Sequence, residues 1–473
     1  DLHSLSIRVV HTDLDRRGGF ECSDPVLNAI QRNAEWSTLT NYHGIPTDCP
    51  HREKNGWTGD AQLSAEQVLL NFAPMTAYIK WMQDFVDIQR PSGQLPGIIP
   101  TGGWGFNWGS GPAWDSAIVL IPWYIYVYCG DTGILERMYE PIRKYVDYMT
   151  SMSSGHIVDF GLGDWCPPEA KKVGNCPTVV TDTAYYYTDA RILSRIGEIL
   201  GKSEEAARYR ELATNIRNAF RERFLARENG QLTGMTAGNS QTALSCALFQ
   251  GMAEPEEAEV LAGFLVQEVE RCGYHIDSGI LGAKYVMHAL TEAGRTDLAY
   301  RNAVNPEYPG WGNWIARGAT TLWEDWEGRS SLNHHMFSDI SAWFYKALAG
   351  IRPDPDHPGF RHFFVCPGPV EGLTWVKAWH HCGYGRIDCS WQIVDGEFKL
   401  TLKVPVGCIA TLQLPQGCCG DVEISLPDGS MEVRPADETL LQPAGGKAGQ
   451  GYMAGPGEWM IRCEIIDASH KDE

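Results

Sequence analysis

"RPDPDHPGF", residues 352–360, is the point at which the texture of this chain changes. Three prolines and a glycine in nine positions stop any helix, because proline lacks the amide hydrogen and fixes φ. Upstream of it the sequence reads as helix after helix. Ser23-Asp24 offers a cap, and "PVLNAIQRNAEWSTLTNY" (25–42) follows with apolar residues at helical spacing. Segments near 61–90, 115–129, 134–152, 182–200, 203–225, 239–251, 255–271, 279–294 and 335–350 carry the same 3.6-residue period. Gly-, Pro- and Trp-rich loops such as "GGWGFNWGSGPAW" (102–114) and "GLGDWCPPEA" (161–170) separate them. This spacing suggests a toroid of paired helices; no fixed-period repeat supports an α-solenoid.

Downstream, short alternating runs are separated by Gly, Pro and Asp turns: "TWVKAWHHCGYGRIDCSWQIV", "FKLTLKVP", "CIATLQLP", "DVEISLP" and "GEWMIRCEII". They predict an antiparallel β-sandwich over residues 353–473. Residues 1–22 also alternate, but so brief a stretch reads as the tail or linker of an upstream β region. The expected division is 1–22, a helical domain over 23–352, and the sandwich.

The 473 residues exceed one compact core, and a composition of 43% hydrophobic and 21% charged residues is that of a folded protein. A net charge of −20 disfavours nucleic-acid partners and anionic lipid. No apolar run approaches the roughly 20 residues needed to span a bilayer. The 14 cysteines form no CxxC pair and read as mostly free and buried, which favours a reducing, cytoplasmic setting. The chain begins at Asp1 without methionine, which leaves room for a leader or an upstream domain. Seventeen tryptophans are the informative excess, and several lie in Gly-rich stretches: Trp57, Trp104, Trp108, Trp311 and Trp314. Trp in such loops is expected to line a cleft, where flat rings suit the C–H faces of sugars.

Motifs for other chemistries are missing. There is no HExxH, zinc-type cysteine pair, EF-hand loop, phosphate cradle or GxSxG elbow. The pairs His334-His335 and His380-His381 are adjacent in sequence, so their rings point apart and do not chelate together. No metal and no cofactor is expected. Carboxylates remain, in two clusters: "TDCPHREKNGWTGDAQ" (47–62), with Asp48, Glu53 and Asp60 around Trp57, and "GATTLWEDWEGRSSLNHHMF" (318–337), with Glu324, Asp325 and Glu327 among Trp323 and Trp326. A carboxyl pressed against an aromatic surface loses solvation and holds its proton more tightly, while one in a polar setting stays ionised. Two such groups are what glycoside hydrolysis requires. Either cluster alone reads more readily as solvated surface charge; the two together point to a carbohydrate-active enzyme.

Both clusters carry a resemblance. "IPTDCPHREKNGWTGDAQ", "YPGWGNWIARGATTLWEDWEG" and "SLNHHMFSDISAWFYKALAGI" closely resemble the α-L-rhamnosidases of glycoside hydrolase family 78. The likeness runs from about Gly19 to the C-terminal strands. It implies a mainly α fold, an (α/α)6 barrel followed by a β-sandwich, with the family's N-terminal β domains absent. It also implies hydrolysis of terminal α-L-rhamnosides with inversion and without a redox cofactor. Carried over by motif, Glu53 matches the general acid and Glu324 the general base. Asp48 and Asp60 match carboxylates that bind the rhamnose hydroxyls. Arg52, Trp57, Asp115, Trp123 and Trp165 fall at sugar-binding or supporting positions. His380, or His381 in its place, matches an imidazole that the sandwich lends to the pocket.

Overall fold

The first helix starts where the sequence supplies a cap. The Asp24 side chain accepts the backbone N–H groups of Val26 and Leu27, which the helix cannot satisfy itself. The computed structural model describes residues 3–170, 176–437, 440 and 451–466. In it, outer and inner helices alternate around a ring.

Helix α1 (Pro25–Leu39) lies outside and α2 (Thr58–Asn71) inside, followed by outer α3 (Met75–Ile88). Short α4 (Pro112–Asp115) leads into inner α5 (Ala117–Cys129). Outer α6 (Thr132–Met152), α8 (Ser203–Phe224) and α10 (Pro255–Arg271) alternate with inner α7 (Thr178–Ile199), α9 (Gln241–Phe249) and α11 (Ile280–Glu292). Outer α12 (Thr296–Val304) and short α13 (Trp311–Ala316) precede inner α14 (Ile340–Trp343), which continues as a π-helical turn through Leu348. This is the six-hairpin (α/α)6 barrel. Burial separates the two rings. Every residue of α2 is buried, whereas α10 buries only the stripe Leu261, Leu265 and Val269.

Two expected helices need correction. The run 61–90 is two helices, because Phe72 and Ala73 leave the helix before Pro74. The run 335–350 forms helix only from Ile340, since His334 and His335 belong to a loop. Helices α12 and α13 were not foreseen.

The inner helices bury charge as well as apolar surface. Lys284 on α11 lies 3.3 Å from Glu66 on α2 and 3.1 Å from Asp339 beside α14. Lys346 reaches Glu66 at 3.0 Å, the Tyr128 hydroxyl donates to the same carboxylate, and His288 meets Asp339 at 2.9 Å. These groups tie four inner segments together across the barrel axis.

The continuous run of strands begins at Ile351. In chain order they are β1 (Gly18–Cys22), the small hairpin β2 (Leu225–Glu228) and β3 (Gln231–Met235), β4 (Ile351–Pro353), β5 (His362–Val365), β6 (Trp375–Cys382) and β7 (Gly385–Val394). Then come β8 (Glu397–Val404), β9 (Ile409–Leu412), β10 (Cys418–Ser425), β11 (Met431–Pro435), β12 (Tyr452–Ala454) and β13 (Gly457–Ile465). A seven-stranded sheet runs β1-β6-β7-β8-β13-β10-β11, antiparallel throughout. The second sheet, β12-β9-β5-β4, is mixed, because β5 and β9 run parallel.

The N-terminal strand belongs to this C-terminal sheet. Gly18 pairs with His380 and Cys22 with Val376. Among the described residues, the strand expected over residues 1–22 therefore forms only over its last five positions, as an edge of the larger sheet. Gly18 makes the approach possible, since a β-carbon there would lie 2.1 Å from the Leu70 carbonyl oxygen. The sheet's buried face packs on the end of the barrel. Cys389 and Trp391 donate to the carbonyls of Ala349 and Leu348, and Phe20 stacks on Phe344. All fourteen cysteines are free and most are buried.

Candidate active site

The segment 47–62 enters the site as a turn clamped at its base. The Asp48 N–H donates to the Asn55 carbonyl (3.0 Å), and the Asn55 N–H returns to Asp48 Oδ1 (2.7 Å). Arg52 and Glu53 stand at the tip, where the Glu53 N–H rests on Cys49 Sγ at 3.2 Å. Trp57 then leads into α2, which carries Asp60 in its first turn. His335 fixes this turn to the barrel, with one ring nitrogen 2.9 Å from the Thr47 carbonyl and the other 2.8 Å from Ser64 Oγ on α2.

The second cluster is a loop braced from behind. Trp314 stacks on Trp326 (4.7 Å, 24°), and Trp311 and Phe337 pack around them. Each indole N–H finds a carbonyl: Trp311 donates to Phe337, Trp314 to Trp326 and Trp326 to Ser278. Trp311 and Trp314 therefore form the loop's core and do not line the cleft. Asp325 accepts the N–H groups of Arg329 and Ser330. Burial would raise its carboxyl, but those donors outweigh burial and hold it below the usual range. Glu327 accepts the Tyr308 hydroxyl and the Glu169 N–H. Asp325 and Glu327 are thus engaged in the loop itself, and Glu324 is left to face the first cluster.

Arg52 joins the two. Its Nη2 donates to both oxygens of Glu324 (2.9 and 2.7 Å) and lies 3.3 Å from Glu53 Oε1. Glu324 Oε2 also accepts the Ser331 N–H (2.8 Å). On its other side, Glu53 Oε2 accepts the Trp57 indole N–H at 2.9 Å. The two glutamates thus flank one guanidinium, with side chains 31% and 14% exposed respectively.

Behind them lies a buried polar wall. His334 Nε2 stands 3.7 Å from Asp48 Oδ2 and 3.8 Å from Asp60 Oδ1, and its Nδ1 stands 3.8 Å from Glu324 Oε2. None of these is a hydrogen bond. Asp48 Oδ2, Asp60 Oδ1 and His334 Nδ1 are all buried without a partner. Orphaned groups of this kind cost about 1–3 kcal/mol each unless a ligand or water meets them. Burial pushes the Asp48 carboxyl up to about 6. Burial, with Asp48 beside it, lifts Asp60 well above the carboxylate range. Burial, with His335 and Arg52 near, holds His334 well below the imidazole range. Asp60 and His334 are thereby held in their neutral forms beside the Asp48 carboxylate, a set of donors and acceptors suited to sugar hydroxyls. His334 was missed in the sequence because the histidine pair was read only for chelation. Its nitrogen does lie near Asp48 and Cys49, within reach of a shared cation.

The sequence also matches known families. Residues 15–348 match the bacterial α-L-rhamnosidase six-hairpin glycosidase domain, and residues 350–425 match the bacterial α-L-rhamnosidase C-terminal domain. The chain belongs to the bacterial α-L-rhamnosidase family. Within that family it is 32% identical over 439 residues to an α-L-rhamnosidase of Formosa agariphila, covering 88% of this chain and 46% of that one. A Streptomyces avermitilis α-L-rhamnosidase is 30% identical over 426 residues, covering 87% and 40%. The chain thus spans about half the length of the curated relatives it matches. Among solved structures, an α-L-rhamnosidase from Dictyoglumus thermophilum superposes with a TM-score of 0.86 at 31% identity, covering 96% of this chain and 51% of that one. The Streptomyces avermitilis α-L-rhamnosidase complexed with L-rhamnose superposes at 0.83 with 27% identity, covering 96% and 42%.

Against this rhamnosidase frame, the residues carried over by motif separate into two groups. Asp48, Arg52, Glu53, Trp57, Asp60 and Glu324 converge. Trp165 lies in a loop fastened to α11, where Asp164 accepts the N–H groups of Gly279, Leu281 and Gly282. The thiol of the adjacent Cys166, raised chiefly by burial, also feels the carboxylates of Glu324 and Asp60, which sets this loop beside the site.

The other three do not converge. Asp115 accepts the Gly111 N–H and, with Asp182 and Asp189, surrounds the buried Tyr145 hydroxyl. Trp123 lies in the middle of α5, beyond the break at Ser116, and its ring packs on Tyr126. His380 is sealed at the joint between barrel and sheet. Its Nδ1 is 3.1 Å from the Leu70 carbonyl and its ring packs on Phe360. Leu70 is ten residues from Asp60 on α2, about 15 Å down the barrel. His381 is exposed and packs edge-on against Trp379. The imidazole that stands among the carboxylates is His334.

Proposed function

We infer that this chain hydrolyses terminal α-L-rhamnosides with inversion at the anomeric carbon. The observation that carries the reading is the pair Glu53 and Glu324 facing each other across Arg52, above the unpartnered atoms of Asp48, Asp60 and His334. The relatives named as α-L-rhamnosidases, and the related structure holding L-rhamnose, supply the substrate class.

Rhamnose hydroxyls satisfy the orphaned oxygens and the imidazole, which fixes the ring. Glu53 delivers a proton to the leaving oxygen, with the Trp57 N–H orienting its carboxyl. Glu324, oriented by the Ser331 N–H and Arg52, takes the proton of a water that attacks the opposite face. Inverting hydrolysis needs roughly 6.5–9.5 Å between the carboxyls so that water fits, and one Arg52 nitrogen, 2.7 Å from Glu324 and 3.3 Å from Glu53, occupies the space between the two. Arg52 therefore shifts or shares the space when sugar and water enter.

The test is a panel of aryl glycosides followed by NMR. Aryl α-L-rhamnoside should be cleaved and aryl β-D-glucoside left intact, with β-L-rhamnose the first product. No turnover by folded protein ends the rhamnosidase reading. Initial α-rhamnose would replace the water-activating role of Glu324 with a nucleophilic one.

A further inference from the structure

We propose that the loop of residues 101–109 forms a leaving-group subsite, with the Trp104 and Trp108 rings as its platform, for an aglycone that offers a flat face: an aryl ring or the C–H face of a second sugar. The proposal rests on the rhamnosidase reading of Glu53 and Glu324 and says what lies beyond the scissile bond.

Direction comes first. Inversion requires the water and the leaving group on opposite sides of the anomeric carbon. Glu324 marks the water's side. Glu53, as proton donor, marks the side on which the aglycone departs. Its carboxylate has two distinct flanks: Oε1 faces Arg52 and Glu324, whereas Oε2 faces the Trp57 indole. The aglycone therefore leaves toward Trp57.

The loop lies there. Its first foot pairs with the strand-like segment before α2, since the Thr58 N–H donates to the Gly97 carbonyl and the Ile99 N–H to the Gly56 carbonyl. Its second foot rests on Trp57 itself. Gly109, at φ +71°, would place a β-carbon 2.4 Å from that ring, so only glycine permits the contact. Between the feet, Arg90 stacks on Phe106 with its guanidinium carbon 3.8 Å from the ring centroid, and Gln94 donates to the Phe106 carbonyl. The loop is thus anchored from beneath at three places.

Its two tryptophans are left in the open. Trp104 is 49% exposed and stands 6.4 Å from the Trp57 ring at 53°; Trp108, next to Gly109, is 48% exposed. An anchored loop that leaves two large apolar rings in water beside a proton donor gains nothing for folding. A flat ligand face removes that exposed area from water, and stacking on a preformed aromatic platform costs little ordering.

The experiment compares the full chain with Trp104→Ala and Trp108→Ala on three rhamnosides: 4-methylumbelliferyl, a rhamnosyl-glucose disaccharide, and methyl. Each variant is expressed as kcat/KM relative to the parent on the same substrate, so the intrinsic reactivity of each leaving group cancels. Loss of one stacking partner should lower kcat/KM about tenfold for a ring-bearing aglycone and change the methyl rhamnoside less than about twofold. Trp→Phe should recover most of the loss, and thermal melts should be unchanged because both rings are exposed. A loss on the umbelliferyl substrate alone assigns the platform to aryl aglycones, and a loss on the disaccharide alone assigns it to sugars. Equal changes on all three substrates, or none on any, overturn the subsite while the rhamnosidase reading stands. A parent inactive toward all three overturns both.

Discussion

Asp48 shows most directly how single residues here trade stability for recognition. Its folded carboxyl sits at about 6 against an ordinary 3.8, so the folded state binds that proton more tightly than the unfolded chain. Stability from this group is therefore fully present below pH 4 and is lost as pH rises through about 6. Asp48→Asn removes the charge while keeping an oxygen that can accept the Asn55 N–H. It should stabilise the protein at pH 8 by on the order of 2–3 kcal/mol and change it little at pH 4. Denaturant unfolding at the two pH values measures this, and an equal effect at both would mean that burial of the charge is not the cause. Activity should fall, as expected where a strained polar site serves a ligand.

The two glutamates are distinguished by leaving group. Glu53→Gln removes the proton donor, so rhamnosides with poor leaving groups should suffer most, while activated aryl ones suffer less. Glu324→Gln should lower both alike, because water must be activated whatever departs. Parallel dependence on leaving-group pKa in both variants would reverse or cancel the roles. Most of this cluster was legible, because Asp48, Arg52, Glu53, Trp57 and Asp60 lie within 13 consecutive residues. His334 was not. Its place among the acids follows from a loop closing over 286 residues of chain, which no local pattern encodes.

Among the elements, outer helices were the easy part, since a stripe such as Leu261, Leu265 and Val269 states its period plainly. The inner helices are buried nearly all round, so no apolar stripe opposite a solvated polar face marks their period and their ends blur. That is why α2 and α3 merged in the sequence reading. The buried charges of these helices make their own test. Lys284 is the cation between Glu66 and Asp339. Breaking such a network by removing one partner leaves uncompensated buried charge, at a cost of about 3–5 kcal/mol. Lys284→Met should lower stability by that amount in denaturant unfolding. An unaltered midpoint would show that Lys346 and His288 carry the neutralisation without it.

For the molecule as a whole, the barrel and the sheet are one closed unit, because β1 crosses from the start of the chain to pair with β6. Texture along the sequence separated helices from strands at 352–360, but it could not reveal a pairing between residues 18–22 and 376–380, since register between distant strands leaves no local trace. The same blindness misplaced His380. Its ring fills the joint, bonded to Leu70 and packed on Phe360, and burial holds it down at about 4. An imidazole depressed in this way contributes stability above its unfolded pKa of about 6.5 that is lost as pH falls through 4. His380→Ala opens a cavity and orphans the Leu70 carbonyl, so it should cost about 2 kcal/mol or more at pH 7.5. Part of the parent's destabilisation as pH falls from 6.5 to 4 should also vanish, while the buried His288, His334 and His335 continue to contribute. At 25 °C and pH 7.5, KM for an aryl rhamnoside should match the parent's, because Leu70 lies about 15 Å from Asp60 along α2. A variant with parental melting behaviour and a raised KM would return His380 to the sugar and contradict the geometry of the joint.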